Sequence, residues 1–259
     1  MNLELDGKVA IVGGASQGIG YGIARELSRE GAVVAITARR ENDLRAAAER
    51  LREETGATIL PIQADCRRSD DCSRVAQTVC EVHGGIDILV NNDGAPPLGA
   101  ALSFDDAAWA KAVEQNLMYV VRMVREVVPS MQTRGGGSIV NITAISAIQP
   151  IPGFALSVAT WSGVIGYAKT LSLEVARHNI NLNTICPGYI DTTRLQKVFA
   201  SGSEPADVVR ERLIAEIPMQ RIGTTEDIAA LVALLVSPRG RYITGTAIQV
   251  DGGLLRAVR

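Results

Sequence analysis

Short aliphatic runs of strand length recur along the chain: Val9 to Val12, Val33 to Thr37, Thr58 to Gln63, Ile86 to Asn91, Ser138 to Ile142, Asn181 to Cys186 and Thr246 to Val250. They are close to continuously apolar rather than alternating, as expected of strands buried on both faces. Between them lie segments with helical spacing of apolar positions: Leu44 to Leu51, Ser69 to His83, Asp105 to Met131, Val158 to Arg177 and Thr225 to Leu235. Strands alternating with helices predict an α/β fold. Its core is a doubly wound, mainly parallel sheet of seven strands flanked by helices, within one domain spanning residues 1–259.

One stretch breaks the alternation. In the insertion 194–218, the turn Ser201-Gly202-Ser203-Glu204-Pro205 separates two short helical pieces. In an open parallel sheet, an insertion after a late strand lies over the crevice at the carboxyl ends of the strands. This segment is therefore expected to act as a lid over substrate.

The composition, 259 residues with 47% hydrophobic and 4% aromatic, suits one aliphatic core. With 26 basic and 28 acidic residues and a net charge of -2, no basic surplus favours nucleic acid as a partner. No run approaches the roughly 18 apolar residues of a membrane span, and Met1 to Asp6 does not read as a targeting segment. A cytoplasmic location is expected. Cys66, Cys72, Cys80 and Cys186 show no C-x-x-C spacing, and His83 and His178 stand apart, so neither a disulfide framework nor a metal site is expected.

The first strand breaks into Gly13-Gly14-Ala15-Ser16-Gln17-Gly18-Ile19-Gly20 before an amphipathic helix. Glycine permits tight bends and close backbone approach, and the first amides of the helix point unpaired at an anion. This is a phosphate cradle of Rossmann type. The second strand ends Thr37-Ala38-Arg39-Arg40, with no acid for an adenosine ribose and with arginines suited to a 2′-phosphate. NADP(H) is thus preferred, with NAD(H) as the alternative; solvated arginines at a helix entrance are the plain reading of the same pair. Asp65 and Cys66, closing the third strand, stand at the adenine end. Asp65 is read either as an acceptor for the adenine amino group or as a cap for the helix near Ser69.

Taken in order, these motifs resemble those of the short-chain dehydrogenase/reductase family, over essentially the whole chain. Gly14 to Gly20 is similar to the family's glycine motif, with Gly13 where threonine is usual. Asn91-Asn92-Asp93-Gly94 resembles its N-N-A-G element, Asn116 its helix asparagine, Cys186-Pro187-Gly188-Tyr189-Ile190 its P-G element, and Thr244 to Gly253 its ending. The resemblance implies cofactor contacts from Gly14, Ser16, Gln17, Gly18, Ile19, Gly20, Arg39, Arg40, Asp65, Cys66, Asn92, Trp161, Pro187, Gly188 and Ile190. It extends to a branch labelled 3-oxoacyl-acyl carrier protein reductase-like.

The same resemblance places the family's catalytic serine, tyrosine and lysine at Ala144, Ser157 and Trp161. Ser157 and Trp161 lie four apart on a predicted helix and are expected to share the face toward the nicotinamide. The family's tyrosine donates a proton because the lysine lowers its pKa. Serine lacks that acidity, and an indole has one N–H and no charge. Asn116 and Ser157 are the catalytic candidates that remain. Thr143, beside the lost serine, is expected to point away from it by strand alternation. Tyr167 and Lys169 are expected on a face turned away, and Tyr189 in a packing role near the pocket.

Three functions compete. The first is an oxidoreductase with an atypical proton donor, acting on a carbonyl or activated alkene of a small apolar substrate, with walls from Pro96 to Leu98, Ile148 to Phe154 and Leu195 to Ala200. The second is a cofactor-binding regulatory or scaffold protein. The third is a non-redox lyase or isomerase with Asp93 as base. Apolar surface on 102–131 and 158–177 makes self-association plausible, and the family resemblance implies a homo-oligomer, tetramer or dimer.

Overall fold

The computed structural model describes residues 2–257 except 93, 95 and 201–203. Seven strands form one sheet: β1 (Val9–Val12), β2 (Val33–Ala38), β3 (Ile59–Gln63), β4 (Ile88–Asn91), β5 (Gly137–Ile142), β6 (Ile180–Pro187) and β7 (Ala247–Val250). Their order is β3-β2-β1-β4-β5-β6-β7, and every pairing is parallel. The chain leaves β1 in one direction for β2 and β3 and in the other for β4. A switch point therefore opens between β1 and β4, where ligands bind in such sheets.

The helices are α1 (Gly18–Arg29), α2 (Glu41–Thr55), α3 (Ser69–His83), α4 (Asp106–Val113), α5 (Tyr119–Thr133), α6 (Ala155–Val175), α7 (Thr193–Ala200), α8 (Ala206–Glu216) and α9 (Thr225–Val236). Two apolar clusters sandwich the sheet. One joins α1, α2 and α9 to it through residues such as Ile23, Leu44 and Val232. The other joins α3, α5 and α6 through Val75, Val124 and Val164. The strands carry both clusters because alternate residues, such as Ala10 and Ile11, face opposite sides.

The single helix expected over 105–131 is divided. Between α4 and α5 the residues Glu114–Met118 form one wide π turn, which inserts an extra residue and redirects side chains, often beside a functional site. Its outcome is local: Asn116 is turned inward, and its Nδ2 donates to Thr160 Oγ1 of α6 at 2.8 Å.

Candidate functional site

At the switch point lies a crevice of about 760 Å³. Its floor is the glycine turn. Gly14 and Gly18 have φ of +57° and +61°, a region that side chains other than glycine's rarely adopt. A Cβ on Gly20 would stand 2.6 Å from both Asn92 Nδ2 and the Gly14 carbonyl oxygen. Asn92 Nδ2 also donates to the Gly13 carbonyl at 3.1 Å, tying the end of β4 to the turn. α1 begins at Gly18 with no side-chain cap from Gln17 and no acid in its first turn, so its N-terminal amides remain available to an anion. Ser16, Gln17, Gly18, Ile19 and Asn92 all line the crevice. A turn with no space for a Cβ at Gly14 or Gly20, beside an uncapped helix, fits a dinucleotide pyrophosphate.

At the adenosine end, Arg39 and Arg40 both line the crevice. Arg40 is held by Asp43 one helical turn on, whereas Arg39 has no ion pair or side-chain hydrogen bond among the described residues. Cys66 lines a small separate hollow with Gly13, Gly14 and Ala38. Of the two roles expected for Asp65, the structure contradicts the cap. Its carboxylate is taken by Arg67, whose Nε donates at 2.7 Å and whose Nη2 donates as well, and these contacts lower its pKa against the opposing effect of burial. It does not cap α3, which begins after Arg68 without a side-chain cap. Asp71 instead accepts from the Asp65 amide.

At the other end, Ala144, Trp161, Pro187, Gly188, Tyr189 and Ile190 line the crevice. Trp161 is buried in the same apolar cluster as Tyr119 and Val164. Ser157 is also buried, at 1% exposure, but it is not among the lining residues, and its Oγ has no partner. The expectation that Ser157 and Trp161 both face the crevice is corrected: a serine is too short to emerge from between its neighbours, whereas the indole is long enough. Asn116 is likewise buried behind the wall. Its Oδ1 has no partner and packs so closely on Gly94 that a Cβ there would stand 2.2 Å away.

Thr143 lines the crevice, yet its hydroxyl donates to the Ile185 carbonyl at 3.1 Å, away from the Ala144 position. Ser146, just past the strand, also lines the crevice, with an unpaired buried Oγ. Leu98, Ile151, Phe154 and Leu195 form apolar walls as expected. Tyr189 lines the crevice while packing on the small cluster of Ile145, Ile217 and Leu254, and burial pushes its phenol pKa upward. Tyr167 packs into the α5–α6 side and Lys169 is exposed. Asp93 lies outside the described residues.

Two contributors went unrecognised in the sequence. Thr192 packs over Gly18, its Cγ2 being 3.4 Å from where a Cβ would stand. Arg194, at the start of α7, turns into the crevice wall. Among the described residues no cluster of His, Cys, Asp or Glu is arranged to hold a metal ion, and no helix is long and apolar enough to cross a membrane.

A parallel sheet with this order, a glycine cradle and a crevice at its switch point define a Rossmann-type α/β protein. A family model described as enoyl-(acyl carrier protein) reductase matches residues 14–255. The chain belongs to the short-chain dehydrogenase/reductase family, an oxidoreductase family. It is 36% identical to nodulation protein G of Rhizobium sp. (strain N33), over 97% of this chain and 98% of that protein. It is 34% identical to the 3-oxoacyl-acyl-carrier-protein reductase of Chlamydia muridarum, over 98% of this chain and 100% of that one. Among solved structures, L-sorbose reductase from Gluconobacter frateurii, complexed with NADPH and L-sorbose, matches with a TM-score of 0.96 and 33% identity, covering 100% of both chains.

Proposed function

We propose that this chain is an NADP(H)-binding reductase whose proton-donor machinery is altered, acting on a carbonyl or activated alkene of a small, largely apolar substrate. The observation that carries this reading is the cofactor half of the crevice: the turn with no space for a Cβ at Gly14 and Gly20, the uncapped α1, and Arg39 without a partner among the described residues. The NADPH held by the similar L-sorbose reductase supports the same preference.

Bound there, a reduced nicotinamide supplies hydride. The turn and α1 would hold the pyrophosphate, Arg39 would meet the 2′-phosphate, and Trp161 with the Pro187–Ile190 segment would wall the nicotinamide end. We assign the family's catalytic positions to Ala144, Ser157 and Trp161. No residue there offers an acid of tunable pKa, so the proton comes from solvent in the crevice. Positioning alone contributes effective molarities of roughly 10⁵ M or more, while losing a general acid costs roughly 10² to 10⁴ in rate. Slow hydride delivery survives that loss. The insertion 194–218 is assigned as the substrate lid.

Transfer of deuterium from NADPH labelled at nicotinamide C4 to a panel of ketones and enones tests the reading. Label appearing in product supports it. Tight NADPH binding without any transfer defeats it in favour of a cofactor-binding regulatory protein, a reading that the uncharged Trp161 in the crevice wall favours.

We also propose a cytoplasmic homo-oligomer, a dimer or tetramer. Leu173 and Tyr242 are exposed at 72% and 100%, and every residue of β7 is half-buried at the sheet edge. Light scattering on the purified chain tests the association.

A further inference from the structure

Arg39, Arg40 and Arg194 line the crevice, and among its described lining residues there is no aspartate or glutamate. A concave site lined by arginines, of which Arg40 is paired with Asp43 while Arg39 and Arg194 are not, and by no carboxylate among the described residues, is suited to anions. The three come from two parts of the fold. Arg39 and Arg40 follow β2, whereas Arg194 lies beyond the end of β6, two residues after Thr192, which packs over Gly18.

Arg194 has a local setting that helix stability does not explain. It is the second residue of α7, whose first turn holds no acid, and a cation at a helix N-terminus is opposed by the helix dipole. Among the described residues no carboxylate pairs with it and no side-chain hydrogen bond reaches it. Although the residue as a whole is exposed, the surrounding protein desolvates its guanidinium and lowers its pKa. An arginine that lines a cavity without a carboxylate partner among the described residues is available to an anion.

We infer that Arg194 binds an anionic group carried by the substrate, a carboxylate or phosphate, in the crevice. This rests on the reductase reading of the crevice. Leu98, Ile151, Phe154, Tyr189 and Leu195 line the same crevice and fit an apolar body, so the substrate class is an aliphatic or aromatic oxo compound ending in an acid. Because Thr192 packs over Gly18, the cofactor's pyrophosphate is the other source of the same anionic chemistry.

Calorimetry separates them without requiring turnover. The chain saturated with NADP⁺ is titrated with 4-, 5- and 6-oxodecanoate and with the methyl ester of each, alongside the variant Arg194→Met, and NADP⁺ affinity is measured separately for both proteins. The expected result is at least one acid binding ten-fold or more tighter than its ester, a preference lost in Arg194→Met while NADP⁺ affinity stays within two-fold. Equal binding of every acid and its ester to the unaltered chain overturns the inference, as does a preference that persists in Arg194→Met. A ten-fold loss of NADP⁺ affinity in the variant assigns Arg194 to the pyrophosphate and also overturns it. If NADP⁺ does not bind at all, the reductase reading fails separately, and the acid–ester comparison on the free chain still decides the role of Arg194.

Discussion

A Cβ placed on Gly14 would stand 2.1 Å from the carbonyl oxygen of Asn92, so the glycine turn and the end of β4 are in backbone contact with no space for a side chain. The φ of +57° at Gly14 adds conformational strain for any other residue. Gly56, after α2, has a similar φ of +68° but nothing within 4 Å of an added Cβ. Gly56→Ala is therefore expected to cost about 1 kcal/mol, the conformational term alone. Gly14→Ala is expected to cost at least about 1 kcal/mol more and to weaken NADPH binding ten-fold or more. Denaturant titrations and fluorescence binding curves on both variants check this; equal costs and unchanged NADPH binding would remove the cradle from the argument.

Arg39 and Arg40 are adjacent in sequence yet differ in availability, because Asp43 occupies Arg40. Arg39→Ala is expected to weaken NADPH roughly 10- to 100-fold, the range of about 1.5 to 3 kcal/mol for a charged hydrogen-bond partner, with NADH affinity little changed. Arg40→Ala is expected to change NADPH affinity less than three-fold. Equilibrium titration of each variant with both nucleotides gives the answer, and equal losses in the two variants would contradict the division of labour.

Much of this architecture is legible in the chain. The seven aliphatic runs fall on the seven strands within a few residues, and α3 begins and ends at Ser69 and His83 as the apolar spacing indicates. Periodicity and glycine turns are local signals, so they survive without tertiary information. What escapes is set by contacts distant in sequence. The π turn at Glu114–Met118 keeps the helical apolar pattern and is disclosed only by the inward amide of Asn116 meeting Thr160. Asp65 reads equally as a cap until Arg67 folds back on it. Arg194 reads as one more surface arginine, because its approach to the crevice depends on how 188–195 wraps over Gly18. Its one sequence signal is a basic residue, without an acid, in the first turn of a helix.

Assignment of the catalytic positions leads to a gain-of-function test. If the serine, tyrosine and lysine of the family belong at 144, 157 and 161, the triple variant Ala144→Ser, Ser157→Tyr, Trp161→Lys regains a general acid of lowered pKa. The rate of NADPH-dependent carbonyl reduction is then expected to rise roughly 10² to 10⁴-fold, and its pH profile to gain an alkaline limb that the parent lacks. Trp161→Lys alone supplies charge without the phenol and is expected to leave the rate near that of the parent. A folded, NADPH-binding triple variant that is no faster would show that these positions are not the catalytic ones.

Acid stability offers a check remote from the crevice. Asp227 accepts from Arg221 Nη1 and Nη2 at 2.7 and 3.0 Å and from the Thr224 amide at 2.8 Å, closing the start of α9. The Arg221 hydrogen bonds, then that to Thr224, hold its pKa down to about 2, below the roughly 3.9 of an unfolded aspartate. A carboxylate depressed in the folded state stabilises the fold at pH values above its unfolded pKa, and that contribution is lost as pH falls through the folded pKa. Solvent screening of this half-exposed pair reduces the effect, so Asp227→Asn is expected to cost about 1 kcal/mol at pH 7. The difference from the parent is expected to shrink between pH 4 and pH 2, roughly the interval between the two pKa values. Urea unfolding curves collected across that interval measure it, and a gap that stays constant down to pH 2 would mean that the Asp227 charge contributes nothing to the fold.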